Sequence, residues 1–224
     1  MGSAVGALTG VQLHDTLLQQ LPRQLVADCG FDVLAHSLEA LVGTNATPMT
    51  DALAEDAFVT AFALLPASFN GCLDVRLKIH MASTMAGMAF TQAGLGMCHA
   101  MAHSLGGMFH IPHGRLNAIL LPSVITCNAH VAAHSYARAA RAAGLSGSAD
   151  TVAVRNLRNA LMRLRTELYL PPTLAAAGVQ PQKIWRNMDQ IVDAVLADPC
   201  CQTNPLKVEG FMVRKVLEEV TGRV

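Results

Sequence analysis

The sequence has few charged and few aromatic residues, and its charges cancel. Charged residues make up 14% of the 224 residues and aromatic residues 4%, while 16 basic residues offset 16 acidic ones. Because the net charge is zero, the protein does not attract nucleic acid or an anionic membrane electrostatically, and we expect neither as a partner. Apolar residues reach 52%, which favours a protein whose apolar surface is partly covered by another domain or subunit.

Long apolar runs and paired cysteines are missing as well. A membrane-spanning helix needs roughly 18 apolar residues in a row, and the two most apolar stretches, 57–69 and 116–127, contain Pro66 and Pro122. We therefore expect no transmembrane helix. The six cysteines form no CxxC pair, which indicates reduced, mostly buried thiols in a cytoplasmic protein.

Motifs that bind a nucleotide phosphate are also absent from the sequence. It contains no GxGxxG and no GxxxxGK[ST], and no glycine-rich turn follows a predicted strand. These motifs place backbone N–H groups around a pyrophosphate. The chain therefore has no nucleotide-phosphate cradle of its own.

Helical periodicity runs through nearly the whole sequence. Apolar residues recur at helical spacing, and no alternating strand pattern exceeds a few residues. We predict an all-α fold that forms a single domain over residues 1–224, with 1–14 as a leader or linker. The predicted helices cover residues 14–43, 51–65, 74–91, 97–106, 115–127, 129–143, 149–169, 183–197 and 207–221.

Nine histidines are present, and four of them fall between residues 99 and 113. Asp32 and His36 are four residues apart, so a helix presents both on one face. His99 and His103 repeat this spacing, and His113 follows in a loop. One carboxylate with three imidazoles suits Zn²⁺, Fe²⁺ or Co²⁺ better than Ca²⁺ or Mg²⁺. Spacing alone equally fits a solvated helix face and hydrogen-bonded core histidines.

Two motifs resemble those of the iron-containing (group III) alcohol dehydrogenases. The first is Gly30–Ala40, GFDVLAHSLEA, and the second extends over Met85–Gly114 with its HxxxH pair. The segment Cys200–Pro205 is similar to the family's C-terminal signature, so the resemblance covers nearly the whole chain. Residues 45–51 and 110–113 most resemble the propanol and ethanol dehydrogenases of bacterial propanediol and ethanolamine utilisation.

The resemblance implies a fold, a metal centre and a reaction. The fold is the helical C-terminal domain of the iron-containing alcohol dehydrogenase (dehydroquinate synthase-like) fold, and we expect the family's N-terminal Rossmann-like domain to be missing. When the family's metal-ligand positions are matched residue by residue to this sequence, they fall on Asp32, His36, His99 and His113. Fe²⁺ or Zn²⁺ held there polarises the oxygen of a small primary alcohol or aldehyde during hydride transfer with NAD(H). In the full-length protein the missing nucleotide-binding domain would bind that cofactor.

The resemblance also suggests roles for three other residues. His103 matches the family's non-ligand histidine and is the predicted catalytic residue, with a proton-relaying role. Its alternative is a hydrogen bond that only orients a ligand. Phe90 and Cys200 match positions that line the family's substrate pocket, and ordinary core packing is the alternative for both. From their spacing, His130 and His134 are expected to share a solvated helix face.

Three classes of function remain open at this point. The first is a dehydrogenase half that is active only when joined to its nucleotide-binding half. The second is a non-catalytic metal-binding or assembly module. The third is a helical phosphohydrolase, suggested by His14-Asp15, although the other histidines of that motif do not occur upstream of it.

The first class implies a partner and a location. The family's active site lies in a cleft between two domains, so we expect an apolar face that binds the missing domain or a second copy in a homo-oligomer. The expected location is the cytoplasm, with a bacterial microcompartment as the alternative. The predicted apolar face comprises Phe90, Met97, Met101, Met108 and Phe109.

Overall fold

The computed structural model describes residues 18–222, and within that range the chain is helical with no β-strand. The all-α prediction is therefore confirmed. The expected leader at 1–14 and the His14-Asp15 pair lie outside the described residues. In chain order the helices are α1 Arg23–Val42, α2 Pro48–Phe69, α3 Leu73–Ala93, α4 Met97–Phe109, α5 His113–Ala142, α6 Asp150–Glu167, α7 Pro181–Arg186, α8 Met188–Ala197 and α9 Gly210–Thr221, with a 3₁₀ helix at Pro199–Thr203.

Two of the predicted helix divisions were wrong. The segments predicted as 115–127 and 129–143 form one helix, α5, because the Asn128 side chain bonds the Asn204 amide instead of the local backbone. The segment predicted as one helix over 183–197 divides at Asn187. The Asn187 side-chain amide donates to the Lys183 carbonyl oxygen at 2.7 Å, and its helix ends there.

Proline does not interrupt the apolar helices. Pro66 and Pro122 lie inside α2 and α5, so the expectation that no apolar stretch is long enough to cross a membrane was wrong. By length and composition alone, each of these two helices could cross a membrane. Within the fold they pack against other helices, and the apolar stretch of α5 is 67% buried. A buried core helix can be equally long and apolar, so the length and composition of these helices are weak evidence for a membrane span.

The α1 helix lies at the centre of the fold and packs against α2, α3 and α5. Most of its residues are buried, which explains why its apolar positions are not confined to one stripe. Two glycines allow neighbouring helices to pack closely against α1. Gly30 faces Leu65 of α2, and Gly114 of α5 lies so near the Asp28 carbonyl oxygen that an added Cβ would overlap it.

The cysteines are less buried than expected. All six are free, but only Cys98 is buried, whereas Cys29 and Cys72 are exposed. Cys29 belongs to α1 but points away from its packed side, and Cys72 lies between a turn at residues 70–71 and the start of α3. The expectation of mostly buried thiols was therefore wrong.

Candidate metal centre

Three helices bring the four predicted metal ligands together. Asp32 and His36 come from one face of α1, His99 comes from the first turn of α4, and His113 is the first residue of α5. Ligand atoms of Asp32, His36 and His99 all lie within 4.8 Å of one another. Oδ2 of Asp32 is 3.7 Å from Nδ1 of His36, whereas Oδ1 is 3.7 Å from Nε2 of His99 and 3.3 Å from Nε2 of His113. Their role as ligands stays a prediction.

Stacked rings hold the imidazoles in place. The His36 ring lies between Phe90 and His99, with centroid distances of 4.5 and 4.4 Å. The His113 ring lies 5.2 Å from that of His99 and 5.2 Å from that of His103. Phe90, the first predicted pocket residue, therefore supports the ring of a predicted ligand from the outer side.

The charges at the centre favour an anionic Asp32 beside neutral His36. Burial disfavours the Asp32 carboxylate, but the neighbouring imidazoles of His113 and His99 outweigh burial and hold its pKa well below the usual range. Burial, with repulsion from His99, lowers the pKa of His36 to about 4. His36 is therefore neutral at neutral pH, which is the form of imidazole that binds a metal.

The His99 side chain is the basic group of the centre. Burial alone would lower its pKa, but the carboxylates of Asp32 and Glu39 on either side raise the pKa to about 9. A proton on this ring balances the two carboxylates at neutral pH. A divalent cation in the same place would supply that balance instead.

The donor set fits a divalent metal ion. Ligand atoms of Asp32, His36 and His99 lie together, with Nε2 of His113 3.3 Å from Asp32. A carboxylate with several imidazoles is typical of sites for zinc or ferrous iron. The side chains of Asp32 and His113 remain 28% and 36% exposed, so the centre opens on one side. An ion held by these side chains would be accessible from that side.

Two polar residues at the centre were missed by the sequence analysis. Glu39 is 2% exposed, and its Oε2 lies 2.6 Å from Nδ1 of His99. The Asn117 side-chain amide donates to Oδ1 of Asp32 at 2.7 Å. A signal was present for both: each interrupts an apolar stretch of a buried helix, and a buried polar group requires a partner.

His103 and Cys200 lie beside the centre and share a third residue, Asp198. Nδ1 of His103 is 2.9 Å from Oδ2 of Asp198, and the His103 side chain is 45% exposed. The Cys200 backbone N–H donates to Oδ1 of the same carboxylate at 2.8 Å. Burial, with the adjacent Asp198 carboxylate, raises the pKa of the Cys200 thiol to about 12, so the thiol is protonated at neutral pH. The sequence analysis did not single out Asp198.

The predicted apolar face was wrong at two positions. Met97 and Met101 are fully buried, because the side of α4 that carries them packs into the core, and Phe90, Met108 and Phe109 are partly buried. Large exposed apolar side chains lie elsewhere. Met49 and Met88 are 80% and 58% exposed, and together with Phe90 they line a cavity of about 960 Å³.

His130 and His134 lie away from this centre. Both are exposed on the second half of α5, as expected for a solvated helix face. The His134 side chain is 83% exposed, and its ring nitrogen is 3.4 Å from an Asp150 oxygen. The expectation of a solvated face is confirmed.

The sequence matches a known protein family and curated relatives over most of its length. Residues 26–221 match the model of the Fe-containing alcohol dehydrogenase family, C-terminal. The 1-propanol dehydrogenase PduQ of Citrobacter freundii is 44% identical over 215 residues, which are 93% of this chain and 58% of that protein. The NADPH-dependent butanol dehydrogenase of Clostridium saccharobutylicum is 37% identical over 202 residues, 90% of this chain and 52% of the relative. The chain thus spans about half the length of these relatives.

A solved structure agrees with the sequence comparisons. The iron-containing alcohol dehydrogenase of Thermococcus thioreducens matches with a TM-score of 0.85 and 30% identity, over 93% of this chain and 53% of that one. The resemblance to propanol dehydrogenases and the expected C-terminal helical fold are therefore confirmed. The chain belongs to the Fe-containing alcohol dehydrogenase family, and residues 26–221 correspond to its C-terminal domain.

Proposed function

We propose that this chain is the metal-binding half of an alcohol dehydrogenase that also works as an aldehyde reductase. The proposal rests on the grouping of Asp32, His36 and His99, with Nε2 of His113 3.3 Å from Asp32 on a side that is partly open. The substrate we propose is a small primary alcohol or aldehyde, which the name of the propanol dehydrogenase relative supports.

The four side chains would hold Fe²⁺ or Zn²⁺, with Asp32 as the anionic ligand and His36 as a neutral one. Bound there, the ion supplies a Lewis acid that polarises an alcohol or carbonyl oxygen. The stacked rings of Phe90 and His99 fix the plane of His36. This rigidity keeps the donor atoms converged before substrate binds.

His103 and Asp198 form a pair suited to moving the hydroxyl proton. The Asp198 carboxylate accepts from Nδ1–H of His103 at 2.9 Å, so Nε2 is the nitrogen that carries the lone pair in the neutral ring. The exposed His103 ring lies beside His113 on the open side of the centre. A proton released from substrate would reach solvent through Nε2 of this ring, while the protonated Cys200 thiol contributes only to the wall of the pocket.

The nicotinamide cofactor, NAD(H) in this proposal, would be bound by a nucleotide-binding half that the described residues do not include. The described residues contain no glycine-rich strand-to-helix turn, and the relatives are about twice as long as this chain. That half would cover the open side of the centre, and the complete enzyme would form a homo-oligomer in the cytoplasm or in a bacterial microcompartment. One relative is NADPH-dependent, so both nicotinamide cofactors belong in the test.

The test joins this chain to the nucleotide-binding half of the propanol dehydrogenase relative in a single polypeptide. After loading with Fe²⁺ or Zn²⁺, we expect the joined protein to reduce NAD⁺ or NADP⁺ in the presence of 1-propanol. His36→Ala in the joined protein should abolish this turnover, whereas His134→Ala, on the solvated face, should leave it intact. Tight metal binding without turnover of any small alcohol would favour the non-catalytic module instead.

A further inference from the structure

The Glu39 carboxylate is buried at the point where α1 meets the start of α4. It lies on α1 less than one turn after His36, and its side chain is 2% exposed. Residues so buried rarely carry a carboxylate unless several donors surround it. The donors here come from a single segment, residues 96–99.

Four N–H groups converge on the two oxygens of Glu39. Oε2 accepts from the Gly96 backbone at 2.9 Å and lies 2.6 Å from Nδ1 of His99. Oε1 accepts from the Cys98 backbone at 2.7 Å, and the His99 backbone N–H is 3.4 Å from Oε2. Gly96 is the residue that precedes α4 and has no side chain to cap it, so the first N–H groups of that helix require an outside acceptor.

This arrangement determines which nitrogen of His99 faces the metal centre. A carboxylate that accepts from backbone N–H groups also accepts from the ring, so Nδ1 carries a proton and Nε2 is the nitrogen free to bind a metal once it loses its own. Nε2 then points toward Asp32, 3.7 Å away, and toward the Asn117 amide, 3.4 Å away. Metal-binding histidines are commonly held by such a carboxylate on their other nitrogen.

We propose that Glu39 is a positioning residue for the metal centre. It holds His99 with Nδ1–H toward α1 and Nε2 toward the metal, and it fixes the start of α4 in the same contact. This inference rests on the proposed metal-binding function. It adds a residue that touches neither the metal nor the substrate.

The chain offers a matched control in Asn204. Its side-chain oxygen accepts from the Met97 backbone N–H at 3.1 Å, so it caps the same end of α4. No hydrogen bond joins it to His99 among the described residues. Asn204→Ala therefore removes a hydrogen bond from the start of α4 but leaves the contact between Glu39 and the His99 ring in place.

The first experiment compares Glu39→Gln with Asn204→Ala by Zn²⁺ competition against a chromophoric chelator and by thermal unfolding. A glutamine places an NH₂ group against a donor, either the ring or the Cys98 backbone. We expect Glu39→Gln to weaken Zn²⁺ binding about 10- to 100-fold. Asn204→Ala should lower the unfolding temperature yet keep the Zn²⁺ affinity within about twofold. Equal losses of Zn²⁺ affinity in both variants, or none in Glu39→Gln, would overturn the proposal.

The second experiment needs no variant and so does not depend on whether Glu39→Gln folds. Nitrogen-15 NMR of the Zn²⁺-loaded protein identifies which ring nitrogen of each histidine retains its proton. We expect His99 to retain it on Nδ1, protected from exchange with solvent. Retention on Nε2 would refute the role of Glu39. A protein that binds no Zn²⁺ at all would instead refute the proposed function, so the two failures are distinguishable.

Discussion

Gly114 of α5 lies against the Asp28 carbonyl oxygen of α1 with no room for a Cβ between them. Asp28 is one helical turn before Asp32, and Gly114 follows His113. Two predicted ligands from different helices therefore stand beside a backbone contact that only glycine permits. The position of the His113 ring depends on this contact as well as on its own side-chain interactions.

Gly114→Ala should separate the start of α5 from α1. We expect it to lower the free energy of unfolding by about 1–3 kcal/mol, the usual cost of overpacking, and to weaken metal binding. Urea unfolding and chelator competition measure the two effects. Gly107→Ala is the control, because nothing lies within 4 Å of a Cβ added at that helical position. It should stabilise the protein by about 0.5–1 kcal/mol, and a Gly114→Ala protein as stable as this control would contradict the argument.

His113→Ala should remove one ligand without disturbing the core, since the His113 side chain is 36% exposed. We expect the metal content of the purified protein to fall below that of the unaltered chain. The matched control is His134→Ala, an exposed histidine of the same helix. Elemental analysis of both variants, prepared side by side, provides the measurement. Undiminished metal in His113→Ala would remove His113 from the site.

Metal binding should release a proton near neutral pH. The pKa of His99 is raised to about 9, so its ring is protonated at pH 7 and must lose one proton when Nε2 binds a metal. His36, with its pKa lowered to about 4, is already neutral and releases none. We expect the Zn²⁺ affinity to rise about tenfold per pH unit between pH 6.5 and 8.5. Calorimetry in buffers of different ionisation enthalpy should show about one proton released per ion at pH 7, and the absence of any release would contradict the charge state of His99.

A charge should be far more destabilising at Met101 than at Met88. Met101 is fully buried, so Met101→Glu places a carboxylate in the core and should unfold the protein at room temperature. Met88 is 58% exposed, so Met88→Glu should change the free energy of unfolding by less than about 0.5 kcal/mol. Circular dichroism during urea titration compares the two. A folded, stable Met101→Glu would mean that α4 packs differently.

The isolated chain should not oxidise alcohols with NAD⁺. Hydride transfer requires the donor carbon and the nicotinamide to be held about 3–3.5 Å apart, and no glycine-rich motif in this sequence holds a pyrophosphate. A sensitive absorbance assay for NADH with the metal-loaded protein and 1-propanol provides the measurement. The same assay on the joined protein is the positive control, and clear turnover by the chain alone would contradict this expectation.

Local features of the sequence predicted the helical class, but not the metal centre. The sequence has no long alternating pattern of apolar and polar residues, which a β-strand would show. This absence, together with the turn sequences, was sufficient to predict the all-α fold. Spacing placed Asp32 and His36 on one helix face, yet it could not bring His99 to them, because that contact depends on how α1 and α4 pack. Only the family resemblance joined the two motifs.

Orientation within apolar helices was the least predictable property. The α4 helix carries methionines on several sides, and periodicity did not indicate that Met97 and Met101 face the core while Met108 is only partly buried. The division at Asn187 depended on one side-chain amide that bonds the Lys183 carbonyl oxygen. Such choices between backbone and side-chain partners depend on geometry that a linear pattern does not contain.

The contacts around the centre join residues that are far apart in the chain. Glu39 and His99 are 60 positions apart, and Asn117 and Asp32 are 85 positions apart. Contacts of such high sequence separation form slowly, because closing a long loop costs chain entropy before the contact stabilises the fold. During synthesis the centre therefore cannot assemble until α5 has packed against α1. We expect the ion to bind only after the transition state of folding has been passed. Bound metal should then slow unfolding and have little effect on the rate of folding.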